Sequence, residues 1–199
     1  MRLKPTELCV LFAIGAAGGL VGDAAHVGAG TTRYLDDSLP FVGESQLWFP
    51  LLVGFATASL GELRLHLGPI RPDLHAREGI AAIAAVLALY AVTALVYDQP
   101  EVAATTLVIT LAILIVCWLA DGAAILCGLV AAAVGPLAEV VIVELELARY
   151  AESADSLFGV ALWLPALYLA FGVVAARLAE LLVAARPSSA TKSGSSSPE

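Results

Sequence analysis

The chain has 199 residues, of which 60% are hydrophobic and 14% charged, and its mean hydropathy is +0.89. A water-soluble domain carries roughly 25% charged residues to wet its surface, so much of this surface faces lipid. The net charge of −8, with Lys4 and Lys192 the only lysines, excludes the basic stripe that nucleic acid requires.

A bilayer core of about 30 Å is crossed by about 20 helical residues, and apolar runs of that length recur along the chain. The first, 8–27, carries Gly15, Gly19 and Gly22 at helical spacing, with Asp23 and His26 just beyond. Its basic start and Asp23-Ala24-Ala25 resemble a signal peptide, but Glu7 and the length of the run argue for a retained span. The second run, 47–65, opens on Trp48 and Pro50, repeats the small face in Gly54, Ala58 and Gly61, and ends in Glu62 and Arg64, an interfacial ion pair or solvated end. The third, 79–97, has an alanine face in Ala81, Ala84, Ala85 and Ala88. The fourth, 102–119, is Leu-, Ile- and Val-rich without such a stripe, and starts with Thr105 and Thr106. The fifth, 122–143, returns to glycine in Gly128 and Gly135, with Glu139 four residues on. The sixth, 157–185, contains Trp163 and is long enough that Arg177 and Glu180 are expected to project beyond the bilayer.

The expected architecture is therefore an all-α, six-helix transmembrane domain over 1–186, followed by a disordered Ser-rich tail over 187–199. Arg2, Lys4, Arg64, Arg71, Arg77, Arg177, Arg186 and Lys192 fall on the side of the termini, against Arg33 and Arg149 opposite. The positive-inside rule then puts both termini in the cytoplasm.

Apolar burial gives helices no net drive to associate in lipid, so small residues that let backbones approach mark the contacts. Asp23, His26 and Glu139 continue the glycine stripes and so face the protein, where intramembrane carboxylates belong. Together with Thr105, Trp48 and Trp163 they reach one depth, the outer end of the bundle. The reading is a cavity between helices, its floor apolar and its mouth polar, suited to a lipid; snorkelling acids and an aromatic belt are the plainer alternative. The alanine face of the third helix and the apolar fourth are the expected self-association surface, making the chain a homo-oligomer.

Catalytic signatures are absent. There is no His-Glu-x-x-His, no Gly-x-Ser-x-Gly and no phosphate-binding Gly-x-x-x-x-Gly-Lys, and His26, His66 and His75 do not cluster. Asp121-Gly122-Ala123-Ala124 opens like a membrane phosphatidyltransferase motif but lacks its arginine and later aspartates. Cys9, Cys117 and Cys127 lie in apolar runs without paired spacing, so no disulfide framework, metal or other cofactor is expected. A small proton- or ion-coupled transporter is the alternative function. It requires an ionisable path across the membrane, and the middles of the third and fourth helices carry no charge.

Several landmarks resemble, in order, the Insig (insulin-induced gene) family of six-span regulators of sterol homeostasis. They are Trp48-Phe49-Pro50 with Gly54, Ala56 and Gly61; His66-Leu67-Gly68-Pro69; Arg77-Glu78; Trp118-Leu119-Ala120-Asp121 with Gly128; and Tyr150, Trp163-Leu164-Pro165 and Gly172. The resemblance runs from about Trp48 to Gly172. It implies a six-helix bundle with cytoplasmic termini, a central lipid-accommodating cavity, and regulation through helix association rather than catalysis. It also implies Asp121 as a cytoplasmic partner contact, and a lipid-binding position at Leu87, where this chain departs from the family's sterol-linked phenylalanine. Phe49 and Leu51 replace a tryptophan and a proline of the pattern, and Ile142 and Ala104 stand where the family has glutamines. The expected lipid is accordingly sterol-like or diacylglycerol-like. The richness in Ala, Val, Leu, Gly and Arg with scarce Lys suggests a bacterial source and a cell-membrane location; a eukaryotic source implies the endoplasmic reticulum.

Overall fold

The computed structural model describes residues 1–35, 39–70 and 75–186, so the expected tail over 187–199, together with Arg71, Pro72 and Lys192, lies outside the described residues. Six long helices appear: α1 (Pro5–Ala29), α2 (Trp48–His66), α3 (Ala76–Val96), α4 (Glu101–Leu119), α5 (Gly122–Glu144) and α6 (Leu164–Ala184). All but α2 are long and apolar enough by themselves to cross a membrane; α2 carries Glu62, Arg64 and His66 in its last turns.

Local chemistry fixes the helix ends. Glu7 accepts from the Lys4 N–H at 2.6 Å and Pro5 sits at the start of α1, which fills donors that the first turn leaves open. Gly30, at φ 84°, closes the same helix in the left-handed conformation that glycine adopts without strain. The Asp121 carboxylate caps α5, accepting from the Ala124 N–H at 2.8 Å. Pro136 inside α5 removes one ladder donor, which bundle packing tolerates in a span.

α6 is the central post. In its most apolar window 67% of residues are buried, against 28% to 33% for the other spans, and its face from Val173 to Ala179 is covered almost all round. The sequence places its start at residue 157, but the helix begins only at Leu164. Phe158 and Gly159 adopt positive φ (54° and 85°) and Pro165 sets the first turn, so the preceding segment is a turn with one 3-10 stretch, Glu152–Ala154.

Two helix pairs are pressed together, α1 on α2 and α5 on α6. A Cβ added at Gly54 would stand 2.8 Å from the Phe12 carbonyl oxygen, and one at Gly172 would stand 2.7 Å from that of Cys127. Only glycine permits such approach. The alanine face of α3 is turned outward at Ala81, Ala84 and Ala88.

Short strands, unforeseen in the sequence, cover the end opposite the termini. β1 (Thr32–Tyr34) pairs antiparallel with β4 (Ala148–Tyr150), and β2 (Phe41–Val42) with β3 (Ser45–Gln46). At the other end Arg186 holds the Glu7 carboxylate at 2.6 Å and the Arg2 carbonyl oxygen at 2.8 Å, so the start of the chain and the end of α6 lie together. Glu62 accepts from the Leu3 N–H at 3.0 Å.

Arg177 and Glu180 do not project. They are 1% and 0% exposed and form a cluster with Arg64 of α2 and Asp121, in which Glu180 bridges both guanidinium groups. Asp121 Oδ2 accepts from Arg64 at 3.1 Å and from Arg177 at 3.2 Å. Two cations and two anions balance within the fold, which lets the charges be buried.

Candidate functional site

Between the two tight helix pairs lies a cavity of about 470 Å3, walled by α1, α2, α3, α5 and α6. That size falls in the range of sites that enclose one small molecule. Its wall is aliphatic and aromatic: Ile14 and Gly18 from α1, Leu60 from α2, Leu87 from α3, Val134 from α5, and Leu167 and Phe171 from α6. The glycine stripes contribute differently from the expectation. Gly15, Gly19 and Gly135 border the cavity, yet their main effect is to draw each pair together, and the gap opens between the pairs.

At the end opposite the termini the cavity meets a small polar chamber of about 20 Å3, with Phe49 and Tyr90 bordering both spaces. Asp23, His26, Trp48 and Glu139 all line this chamber. Asp23 accepts from the hydroxyls of Tyr34 and Ser45. Glu139 accepts from the Tyr168 hydroxyl at 2.8 Å, and Tyr150 lines the chamber with it. Tyr168 also borders the apolar cavity, so the Tyr168–Glu139 bond joins the two spaces. His26 Nε2 lies 2.8 Å from Thr93 Oγ1. Because the Thr93 hydroxyl donates its proton to the Tyr90 carbonyl oxygen, the imidazole is the donor to threonine.

Among the described residues neither buried carboxylate has a basic partner within ion-pair distance. Burial, and after it the Asp23 charge, pushes the Tyr34 hydroxyl well above its ordinary range. Burial, and then Glu139, does the same for Tyr150. Both phenols therefore remain donors. The chamber turns hydroxyls toward two buried carboxylates, with the exposed Arg33 also in its lining, and is able to exchange a hydrogen bond with a hydroxyl.

The other sequence-selected residues lie elsewhere. Leu87 borders the cavity. Pro50, Gly54 and Ala58 do not: Gly54 is spent on Phe12, Pro50 is buried in α2, and Ala58 packs against the core. Trp163, 2% exposed, packs its ring at 5.8 Å from His26 and supports the chamber from behind. Thr105 borders neither space. Asp121 sits at the far end, both oxygens engaged by the fold and its side chain 31% exposed. Tyr34, Tyr90 and Tyr168 escaped the sequence reading, and Tyr150 entered it only as a landmark of the resemblance. Their signal was a hydroxyl-bearing ring, Tyr90 or Tyr168, in an otherwise aliphatic helix.

No protein-family model matches the chain. It is similar to the INSIG protein homolog of Mycolicibacterium vanbaalenii, with 50% identity over 187 residues, which is 94% of this chain and 92% of that protein. The crystal structure of the mycobacterial Insig homologue from Mycobacterium vanbaalenii superposes with a TM-score of 0.92 at 50% identity, covering 94% of this chain and 99% of the other. A crystal structure of a cross-linked trimer of that protein, carrying an arginine-to-cysteine change, gives the same TM-score, 0.92, at 49% identity and the same coverage.

Proposed function

The chain belongs to the Insig family, and on that premise we propose that it is a lipid-binding regulator that holds a sterol-like or diacylglycerol-like molecule in its central cavity. It is a multi-pass membrane protein of the cell membrane and not an enzyme. The observation that carries the proposal is the union of two spaces: an apolar cavity of about 470 Å3 joined through Tyr168 to the two buried carboxylates Glu139 and Asp23. Chains occupy the first space. The head group meets the second.

The chamber narrows the class of ligand. A phosphate head group would be brought against two buried carboxylates that have no ion-pair partner among the described residues, and the one guanidinium group in the chamber's lining, Arg33, is exposed, so a neutral head group is favoured. A neutral head group bearing one or a few hydroxyls donates to Glu139 beside the Tyr168 hydroxyl, whose own proton goes to the same carboxylate, and brings no further charge into the chamber. In this assignment Glu139, Asp23, His26 and Trp48 hold the polar end, and Leu87 belongs to the wall. The cavity's lipid stabilises whichever helix arrangement encloses it, by about 1.4 kcal/mol for each tenfold preference. A regulator of this kind acts by helix association, with Asp121 at the terminal end as the partner contact. The cross-linked trimer of the relative supports a homo-oligomer here too, with the outward faces of α3 and α4 as the surface.

Purification in a mild detergent followed by lipid mass spectrometry tests the proposal. A neutral hydroxyl-bearing lipid retained by the wild type and lost from Glu139→Leu supports it. Retention of phospholipids alone, or a lipid-free particle, removes it. Glu139-dependent ion flux in proteoliposomes would put a transporter in its place.

A further inference from the structure

The cavity assigned to the lipid is closed at its two ends. Toward the termini, Cys127 Sγ reaches the Leu60 carbonyl oxygen at 3.8 Å, and below it Arg64 and Asp121 tie α2 to α5 at 3.1 Å. Toward the other end, buried Phe49 and the hydroxyl–carboxylate chamber stand over it. A lipid moving along the axis would have to part a charged cluster or a bonded polar chamber.

One side is different. Of the residues that line the cavity, those that are exposed belong to two helices only. On α2 they are Leu52, Phe55 and Ser59, and on α5 they are Val130 and Val134. The exposures are 64% for Phe55 and 59% for Val134. Spacings of three and four residues put them on one stripe of each helix. The lining residues of α1, α3 and α6 are buried or only partly exposed. Each of the two helices takes its tight partner elsewhere, α2 on α1 and α5 on α6, so nothing draws α2 and α5 together at this level. Between the Cys127 contact and the chamber, Ser59 is the one polar side chain among the exposed liners.

We propose that the bound molecule enters and leaves sideways, directly from the bilayer, through a slot between α2 and α5 whose two edges are Phe55 and Val134. The slot rests on the lipid-binding proposal for the same cavity and adds its route. An uncharged passage admits a molecule already dissolved in the hydrocarbon and rejects one carrying its charge with it.

The test uses the full-length protein in phosphatidylcholine vesicles, loaded with a fluorescent diacylglycerol or a fluorescent sterol and chased with an excess of the unlabelled lipid. Val134→Trp narrows the slot, so release of the probe it holds should slow by about tenfold. Phe55→Ala widens it and should speed release. Leu137→Trp, on the lipid face of α5 outside the cavity wall and 66% exposed, should release at the wild-type rate. Wild-type protein that holds its probe, with release unchanged in both Val134→Trp and Phe55→Ala, overturns the slot alone. Wild-type protein that holds neither probe overturns the lipid-binding proposal and the slot with it.

Discussion

Glu139 is held by the Tyr168 phenol and, among the described residues, has no cation within ion-pair distance, and that choice of partner gives the site its chemistry. Tyr168 donates to it at 2.8 Å from the cavity side. Tyr168→Phe keeps the ring that fills the space beside Gly135 and removes only the donor. A hydrogen bond to a charged group contributes about 1.5–3 kcal/mol, so binding of a hydroxyl-bearing lipid should weaken by roughly tenfold or more while the protein remains folded, as a fluorescent-lipid titration would read. An unchanged affinity would mean that the head group does not use this pair. Asp121 poses the opposite case, a carboxylate among guanidinium groups. Burial alone would raise its pKa, but the Ala124 N–H and the Arg177 and Arg64 charges outweigh it and hold the carboxyl below its ordinary range. A depressed carboxyl stabilises the fold fully above its unfolded pKa and loses that contribution as pH falls through the folded value. Asp121→Asn keeps an oxygen for the Ala124 N–H but removes the charge, leaving two guanidinium groups to Glu180. Discounted for its partial exposure, the loss is about 1–2 kcal/mol at neutral pH. The variant's thermal midpoint in detergent should fall at neutral pH and approach that of the wild type in acid.

At the scale of elements, the sequence is most legible where one face of one helix decides the outcome. The helix boundaries expected from hydropathy fall within a few residues of those observed for α1 to α5, because each run meets its own cap or turn. The start of α6 was misplaced because the apolar residues 157–163 fold as a turn fixed by the backbone at Phe158 and Gly159, and hydropathy carries no record of φ. The strands were invisible for another reason: two or three residues make a strand only when a distant partner arrives, as Tyr150 does for Thr32. Glycine spacing announced close helix contacts, but not that the cavity would open between the two contacting pairs. That arrangement makes a separate prediction. Gly172→Val should splay α5 from α6, since its Cβ meets the Cys127 carbonyl oxygen at 2.7 Å, and overpacking of this kind costs about 1–3 kcal/mol. Gly122→Ala, where an added Cβ meets nothing within 4 Å, should leave the thermal midpoint in place. Equal losses in the two variants would contradict the paired architecture.

For the whole molecule, the acids of the site were legible because membrane carboxylates turn inward, whereas the Arg64–Asp121–Arg177–Glu180 cluster was not. Charges near a helix end look alike whether they meet water or each other, and only the arrival of α2 and the α5 cap beside α6 separates the two. The same cluster bears on orientation, because it withdraws Arg64 and Arg177 from the surface of the terminal end. The basic bias survives their removal. Arg2, Lys4, Arg77 and Arg186 remain at or near that surface, while the opposite end presents Arg33 and Arg149, paired across β1 and β4. Orientation is decided during insertion, before the cluster forms, and counts basic side chains with little regard to acids, so the buried arginines still weigh toward the cytoplasm when it is set. The contact of Arg186 with Glu7 and Arg2 puts the end of α6 on the same side as the N-terminus. A fluorescent protein fused at the C-terminus should therefore mature in living bacteria, whereas alkaline phosphatase fused there should be inactive. Phosphatase inserted at Gly43, an open turn at the far end, should be active. The reverse pattern at both positions would turn the molecule over in the bilayer and carry the polar chamber to the cytoplasmic leaflet.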